Sequence, residues 1–321
     1  MALLETTDLH VRFELFEGMS HVLNGVNLKV ERGERVAVVG ESGCGKSLTA
    51  RAVLGLLRHT NAQIDGSVRF DGSELLSLSE RGWRSIRGRR IGMIFQDPTA
   101  ALNPTFTVGD QLFKVIIRGG RARTKRRARE IAREALRHTA IADPDRVLNA
   151  YPFQLSGGLA QRVLITMALV NEPELVLADE PGSALDVTVQ EQTLRLMRAL
   201  GDELGAAVLI ITHNLGVVRE FAQRVYVMYA GSIVEEADVD TLFHAPRHPY
   251  TRALLEAVPR LTGEMLPQPI EGVVPDYTAA PVGCRFHPRC PHAQPACQEP
   301  PPVVDLGGGH RVACVLPEAA P

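Results

Sequence analysis

The octapeptide Gly40-Glu41-Ser42-Gly43-Cys44-Gly45-Lys46-Ser47 constrains this chain more than any other stretch. It fits the spacing G-x-x-x-x-G-K-[ST], a turn whose glycines let backbone N–H groups converge on an anion. Arg35-Val36-Ala37-Val38-Val39, just before it, is a short β-branched run that predicts a buried strand. Leu48 to Leu57, just after it, predicts a helix, whose N-terminus adds a partial positive charge. Strand, glycine loop and helix in that order separate a phosphate-binding loop from a chance glycine turn. In such a loop Lys46 reaches the β- and γ-phosphates of a nucleotide and the Ser47 hydroxyl ligates Mg²⁺.

The rest of the chain reads as alternating strands and helices. Residues 1–35 predict antiparallel strands with turns near Glu17-Gly18 and Glu31-Arg32-Gly33-Glu34, and 64–71 a further strand. Buried strands are expected at 91–96, 174–179, 207–212 and 224–229, the last followed by a turn at Ala230-Gly231. Residues 98–170 read as mostly helical, and Val187 to Leu204 as an amphipathic helix. Strands alternating with helices imply an α/β fold with a largely parallel sheet covered on both faces. The basic run Arg121 to Arg129 lies on a helix with Ile131, Ala135 and Leu136 on its other face. With no aromatic residues interleaved for base stacking, it predicts a solvated face and no nucleic acid partner. A net charge of −2 provides no general attraction to nucleic acid or an anionic membrane. No apolar run is long enough to span a bilayer, and the N-terminus lacks a basic region followed by an apolar core. A cytosolic protein is the expectation.

Two further motifs carry chemistry. Glu174-Leu175-Val176-Leu177-Ala178-Asp179-Glu180 is an apolar strand ending in two acids. Asp179 at the strand end can hold Mg²⁺, while Glu180, projecting differently, can polarise a water against the γ-phosphate. Alone, the pair has a lesser reading as a cap at a strand–helix junction. Leu155-Ser156-Gly157-Gly158-Leu159-Ala160-Gln161-Arg162 by itself reads as a helix start with Ser156 as N-cap.

Taken together and in order, the phosphate loop, Gln96, Leu155-Ser156-Gly157-Gly158, Asp179-Glu180, Ser183-Ala184-Leu185-Asp186 and His213 resemble an ATP-binding cassette (ABC) transporter ATPase over about residues 1–240. The resemblance implies a P-loop NTPase with a RecA-like parallel-sheet core, an antiparallel β subdomain and a helical subdomain at about 98–170. It implies ATP contacts from Gly40 through Leu48 and from Gln96, with Phe13 stacking on adenine, although Phe16 and His21 are close by. Mg²⁺ would be held by Ser47, Gln96 and Asp179. Catalysis would rest on Glu180, on His213 at the γ-phosphate and on Gln96 beside the attacking water. Leu155, Ser156, Gly157, Gly158 and Gln161 would face the ATP of a second cassette in a head-to-tail dimer, and Asp186 would join the halves. The chain departs from the family pattern at Leu159-Ala160 and at Gly182-Ser183.

Phe95-Gln-Asp-Pro-Thr-Ala-Ala-Leu-Asn-Pro104, Ala184-Leu-Asp-Val-Thr-Val-Gln190 and His248-Pro-Tyr-Thr-Arg-Ala-Leu-Leu255 are similar to the dipeptide/oligopeptide importer branch, which nickel, glutathione and some sugar importers share. That branch implies two multi-span permease subunits, a second and different ATPase subunit, an extracytoplasmic solute-binding protein and a place on the cytoplasmic face of the membrane. A phosphonate-lyase type accessory cassette is the alternative outside transport. Residues 241–321 form the expected second module, proline-rich and irregular, with Cys284-x5-Cys290-x6-Cys297-x16-Cys314. Four cysteines so close in a cytosolic chain favour a metal centre over disulfides, and spacing leaves zinc and iron–sulfur open. The resemblance implies a [4Fe–4S] cluster on Cys284, Cys290, Cys297 and Cys314, with His287 and His292 outside the ligand set.

Overall fold

The computed structural model describes residues 2–183, 185–258 and 269–316. The chain opens with a hairpin of β1 (Leu4–Leu15) and β2 (Gly18–Val30), followed by β3 (Arg35–Val39) and α1 (Lys46–Val53). β4 (Ala62–Phe70), β5 (Ser73–Glu74), α2 (Glu80–Ile86) and β6 (Ile91–Ile94) come next. Helices α3 (Pro98–Ala101), α4 (Val108–Gly119), α5 (Lys125–His138), α6 (Pro144–Asn149) and α7 (Gly157–Leu169) then precede β7 (Leu175–Asp179). After α8 (Val187–Leu204) come β8 (Ala207–Thr212), α9 (Leu215–Phe221) and the hairpin β9 (Arg224–Tyr229) and β10 (Ser232–Asp238). The chain continues through α10 (Val239–His244) and α11 (Pro249–Glu256) to the short strands β11 (Val303–Asp305) and β12 (Arg311–Ala313).

Contacts divide the chain into two compact units. The first comprises Met1–Val30, Arg35–Ser77 and Ile211–Pro321; the second comprises Glu31–Glu34 and Leu78–Ile210. The first holds an antiparallel sheet ordered β2-β1-β4-β5, and a second run of strands ordered β11-β12-β10-β9-β3, in which β3 and β9 are parallel. β9 turns into β10 through Ala230 and Gly231, at φ 43° and 85°, the paired left-handed geometry that suits a tight hairpin. The segment after Val258, expected to hold no long regular element, adds two strands of three residues: β12 pairs antiparallel with β10 and β11 with β12.

The second unit is largely helical, with strands ordered β8-β7-β6 and β6 parallel to β7. Its helices bury one stripe each. Leu112 and Ile116 of α4, Ile131, Ala132 and Leu136 of α5, Val147 and Leu148 of α6, and Val163 and Leu164 of α7 share one core. The basic face of α5 is solvated: Arg127 pairs with Glu130, and Arg129 and Arg133 both pair with Asp145. Thr124 caps the helix by accepting from the Arg127 N–H.

Glu174, just before β7, accepts hydrogen bonds from Arg90 and Arg32, and these hold its carboxyl below the ordinary value of 4.5. A depressed native pKa contributes stability that is present above the ordinary value and lost as pH falls through it. Glu174→Gln should lower the melting temperature by a few degrees at pH 7, with the difference from native protein closing below about pH 4. Thermal melts of both proteins across that range check the expectation.

Candidate functional site

The phosphate loop lies in the first unit, between β3 and α1. Gly40 ends the strand at φ 153°, and a Cβ placed there would sit 2.1 Å from the Met228 carbonyl oxygen of β9. Only glycine allows β3 to run that close to its neighbour before the loop turns. Gly43 and Gly45 also have positive φ, and Gly45 is the N-cap of α1. The helix therefore begins at Lys46, two residues before the sequence pattern suggests, and it ends at Val53 rather than Leu57. The Lys46 ammonium is buried and donates to the carbonyls of Gly40 at 2.7 Å and Glu41 at 2.8 Å. Burial pushes the Cys44 thiol up, which fits a packed loop residue. Phe13 is half-buried on β1, opposite Ser20 on β2 and Ala62 on β4. Phe16, at the tip of that hairpin, is fully exposed. His213 is exposed just after β8, and Asn214 caps α9 by accepting from the Gly216 and Val217 N–H groups.

The other expected residues lie in the second unit. β6 stops at Ile94, so exposed Gln96 stands on a loop, with Asp97 capping α3 immediately afterwards. Ser156 is the N-cap of α7 and accepts from the Leu159 N–H. Gly157 and Gly158 form the first turn of that helix. A Cβ on Gly157 would meet Leu185 at 3.2 Å, and one on Gly158 would meet Val189 at 3.3 Å. The glycine pair thus packs against the start of α8, where Asp186 is N-cap and accepts from the Val189 N–H at 2.9 Å. Ser183 is exposed nearby, and Ala184 lies outside the described residues. Gln161 is fully buried, and neither amide atom has a hydrogen-bond partner among the described residues. Asp179 is the buried last residue of β7, and Glu180 follows at φ 46°, in the left-handed region.

A second cluster occupies the C-terminal part of the first unit. Cys284, Cys290, Cys297 and Cys314 line one pocket, together with His248, His287, His292, Phe286, Val315 and Leu316. All four are free thiols. Burial pushes the Cys284 thiol up to about 11 and raises those of Cys290 and Cys314. Burial also holds His248 down to about 3, so its imidazole is neutral, and its Nδ1 accepts from the Tyr250 N–H. Among the described residues no group of three or more His, Cys, Asp or Glu side chains is placed to hold a single metal ion.

Comparison with known proteins decides the family. Residues 23–183 match the ABC transporter family, and residues 234–297 match the C-terminal region of oligopeptide/dipeptide transporters. A probable peptide ABC transporter ATP-binding protein of Sinorhizobium fredii is 51% identical over 97% of this chain and 94% of its own length. This chain is a member of the ABC transporter ATPase family. The dipeptide transport ATP-binding protein DppD of Bacillus subtilis is 44% identical over 98% of this chain and 94% of its own length. Among solved structures, the dimeric post-hydrolysis form of the cassette MJ0796, bound to ADP and Pi, superposes with a TM-score of 0.66 at 30% identity, over 74% of this chain and 98% of that one.

As an ABC cassette the chain is an ATPase, and ATP with Mg²⁺ is its ligand. Sequence reasoning missed the residues that hold the loop from outside. Tyr250 accepts from the Glu41 N–H, Tyr277 donates to the Gly43 carbonyl, and Arg289 grips the Glu41 side chain. Tyr250 lies in the His248–Leu255 motif, but no local pattern shows that any of the three meets the loop, because their partners are more than 200 positions away.

The glycines of the loop differ in what they tolerate. A Cβ on Gly43, at φ 81°, meets nothing within 4 Å, whereas one on Gly40 strikes the Met228 carbonyl. Gly43→Ala should cost about 1–2 kcal/mol, the strain of a left-handed alanine. Gly40→Ala should lower the melting temperature several times further, with loss of ATP binding. Thermal melts and ATP titration of the two variants make the comparison.

Proposed function

We propose that this ABC ATPase powers the uptake of di- and oligopeptides. The observation that carries the proposal is the oligopeptide/dipeptide transporter C-terminal region at residues 234–297, in a chain whose close relatives are named for peptide transport. Among the described residues no helix is long and apolar enough to cross a membrane. The translocation path therefore belongs to partners: two permease subunits, with a solute-binding protein delivering substrate to them and the ATPase peripheral at the cytoplasmic face. A second cassette, a paralogue in this reading, completes the pair.

The residue roles follow from the chemistry of phosphoryl transfer to water. Gly40 through Leu48 cradle the phosphates, with Lys46 turning from the loop carbonyls to the β- and γ-oxygens. Ser47, Gln96 and Asp179 hold Mg²⁺. Glu180 polarises the water, and His213 stabilises charge at the γ-phosphate. Ser156 and the first turn of α7 present a helix N-terminus to the partner's γ-phosphate, supported by its packing against Leu185 and Val189. Phe13 stacks on adenine.

A strain carrying Glu180→Gln should make protein that binds ATP but hydrolyses it more than about 100-fold more slowly. It should also lose uptake of labelled di- and oligopeptides. Unchanged turnover would remove Glu180 from its role. Normal peptide uptake with lost nickel or glutathione uptake would redirect the substrate.

The four-thiol pocket supports a [4Fe–4S] cluster as a structural staple, with zinc as the competing occupant. A tetrahedral zinc site draws four sulfurs to about 2.3 Å from one ion. A cluster binds each thiolate to a different iron, so its sulfurs stand farther apart. Four thiols lining one pocket offer either group its ligand set. Bound there, the cluster would supply cross-links among segments with few apolar side chains. Protein purified without air should be brown and carry about four irons per chain; colourless, zinc-loaded protein rejects the cluster.

A further inference from the structure

We propose that Arg289 and Tyr277 are positioning residues for ATP. They make the four-cysteine segment an external brace of the phosphate loop. Arg289 ends a single 3-10 turn, His287–Arg289, set between Cys284 and Cys290. Its side chain is only 4% exposed, and every one of its five N–H donors has an acceptor. Nη1 and Nη2 grip the two Glu41 carboxylate oxygens at 2.8 and 3.2 Å, a bidentate fork. Nε donates to the Glu271 carbonyl, Nη2 also to that of Ile270, and Nη1 also to the Tyr229 hydroxyl. Tyr277 donates to the Gly43 carbonyl at 2.7 Å, while its own carbonyl accepts from the His21 N–H.

Glu41 is a carboxylate inside a loop built to receive a triphosphate. Left unpaired, it would repel that ligand at short range. Arg289 neutralises it and, through the bidentate fork, fixes its rotamer. Tyr277 and Tyr250 take up a carbonyl and an N–H of the same loop. The brace thus favours ATP by charge compensation and by holding the loop in its binding shape. Linkage makes this reciprocal, so ATP also stabilises the cysteine segment.

The test is calorimetric titration of the full-length chain with ATP and Mg²⁺, beside thermal melts. Arg289→Met should weaken ATP about tenfold, the loss expected when a buried charge is left without its partner. Glu41→Gln, which keeps the shape without the charge, supplies the reference affinity for the double-mutant cycle and should bind ATP more tightly than Arg289→Met. The double variant should return toward the Glu41→Gln value. Tyr277→Phe should weaken ATP about threefold through one lost hydrogen bond. Native affinity in Arg289→Met with a lowered melting temperature, or a double variant as weak as Arg289→Met, overturns the proposal. If Arg289→Met does not fold, Arg289→Lys takes its place, keeping the charge but losing the fork. A three- to tenfold weakening then supports the brace, and native affinity overturns it.

Discussion

The close approach of two backbones at Gly40 underlies the nucleotide end of the structure. Parallel β3 and β9 are paired through Val39 and Val227, and the next residue of β3 must pass the Met228 carbonyl with no room for a Cβ. That contact fixes where the strand stops and the loop begins. The following glycines can then reverse the chain, and α1 starts with its N–H groups pointing back into the loop. Lys46 is drawn inward because the same turn exposes the carbonyls of Gly40 and Glu41 to its ammonium.

The outside of this loop is held as firmly as its inside is shaped. Tyr229, Tyr250 and Phe286 pack ring against ring, with centroids 4.6 to 5.4 Å apart, joining β9, α11 and the cysteine segment in one apolar cluster. From that cluster the Tyr250 hydroxyl and the Arg289 guanidinium reach Glu41. Arg285, which directly follows Cys284, makes a different tie. Its guanidinium donates to the carbonyls of His21 and Ala230, so it joins β2 and the β9–β10 hairpin to the cysteine segment.

Much of this was legible in the sequence where one local rule decided the outcome. The strands Arg35–Val39, Ala207–Thr212 and Arg224–Tyr229 and the helix Val187–Leu204 have the bounds that their apolar patterns set. Ser156 is the helix cap that its position before two glycines suggests. Bounds shifted where a tertiary contact or a cap intervened. α1 starts early because left-handed Gly45 caps it, and β6 stops at Ile94, short of Gln96. β11 and β12 escaped notice because strands of three residues carry too little pattern, and their pairing with β10 supplies what propensity does not.

The sequence by itself determined the chemistry: a glycine loop for phosphate, two acids at a strand end, a serine-glycine helix start and four cysteines, each set by residue type at short spacing. Only the tertiary structure decided how that chemistry is supported. The Cys284–Cys290 turn lies against Glu41, 248 positions before Arg289, and spacing along the chain carries no information about such a contact. Local sequence sets which groups can act, because bonding capacity belongs to the residue. Which groups meet depends on burial and backbone pairing, which belong to the folded chain as a whole.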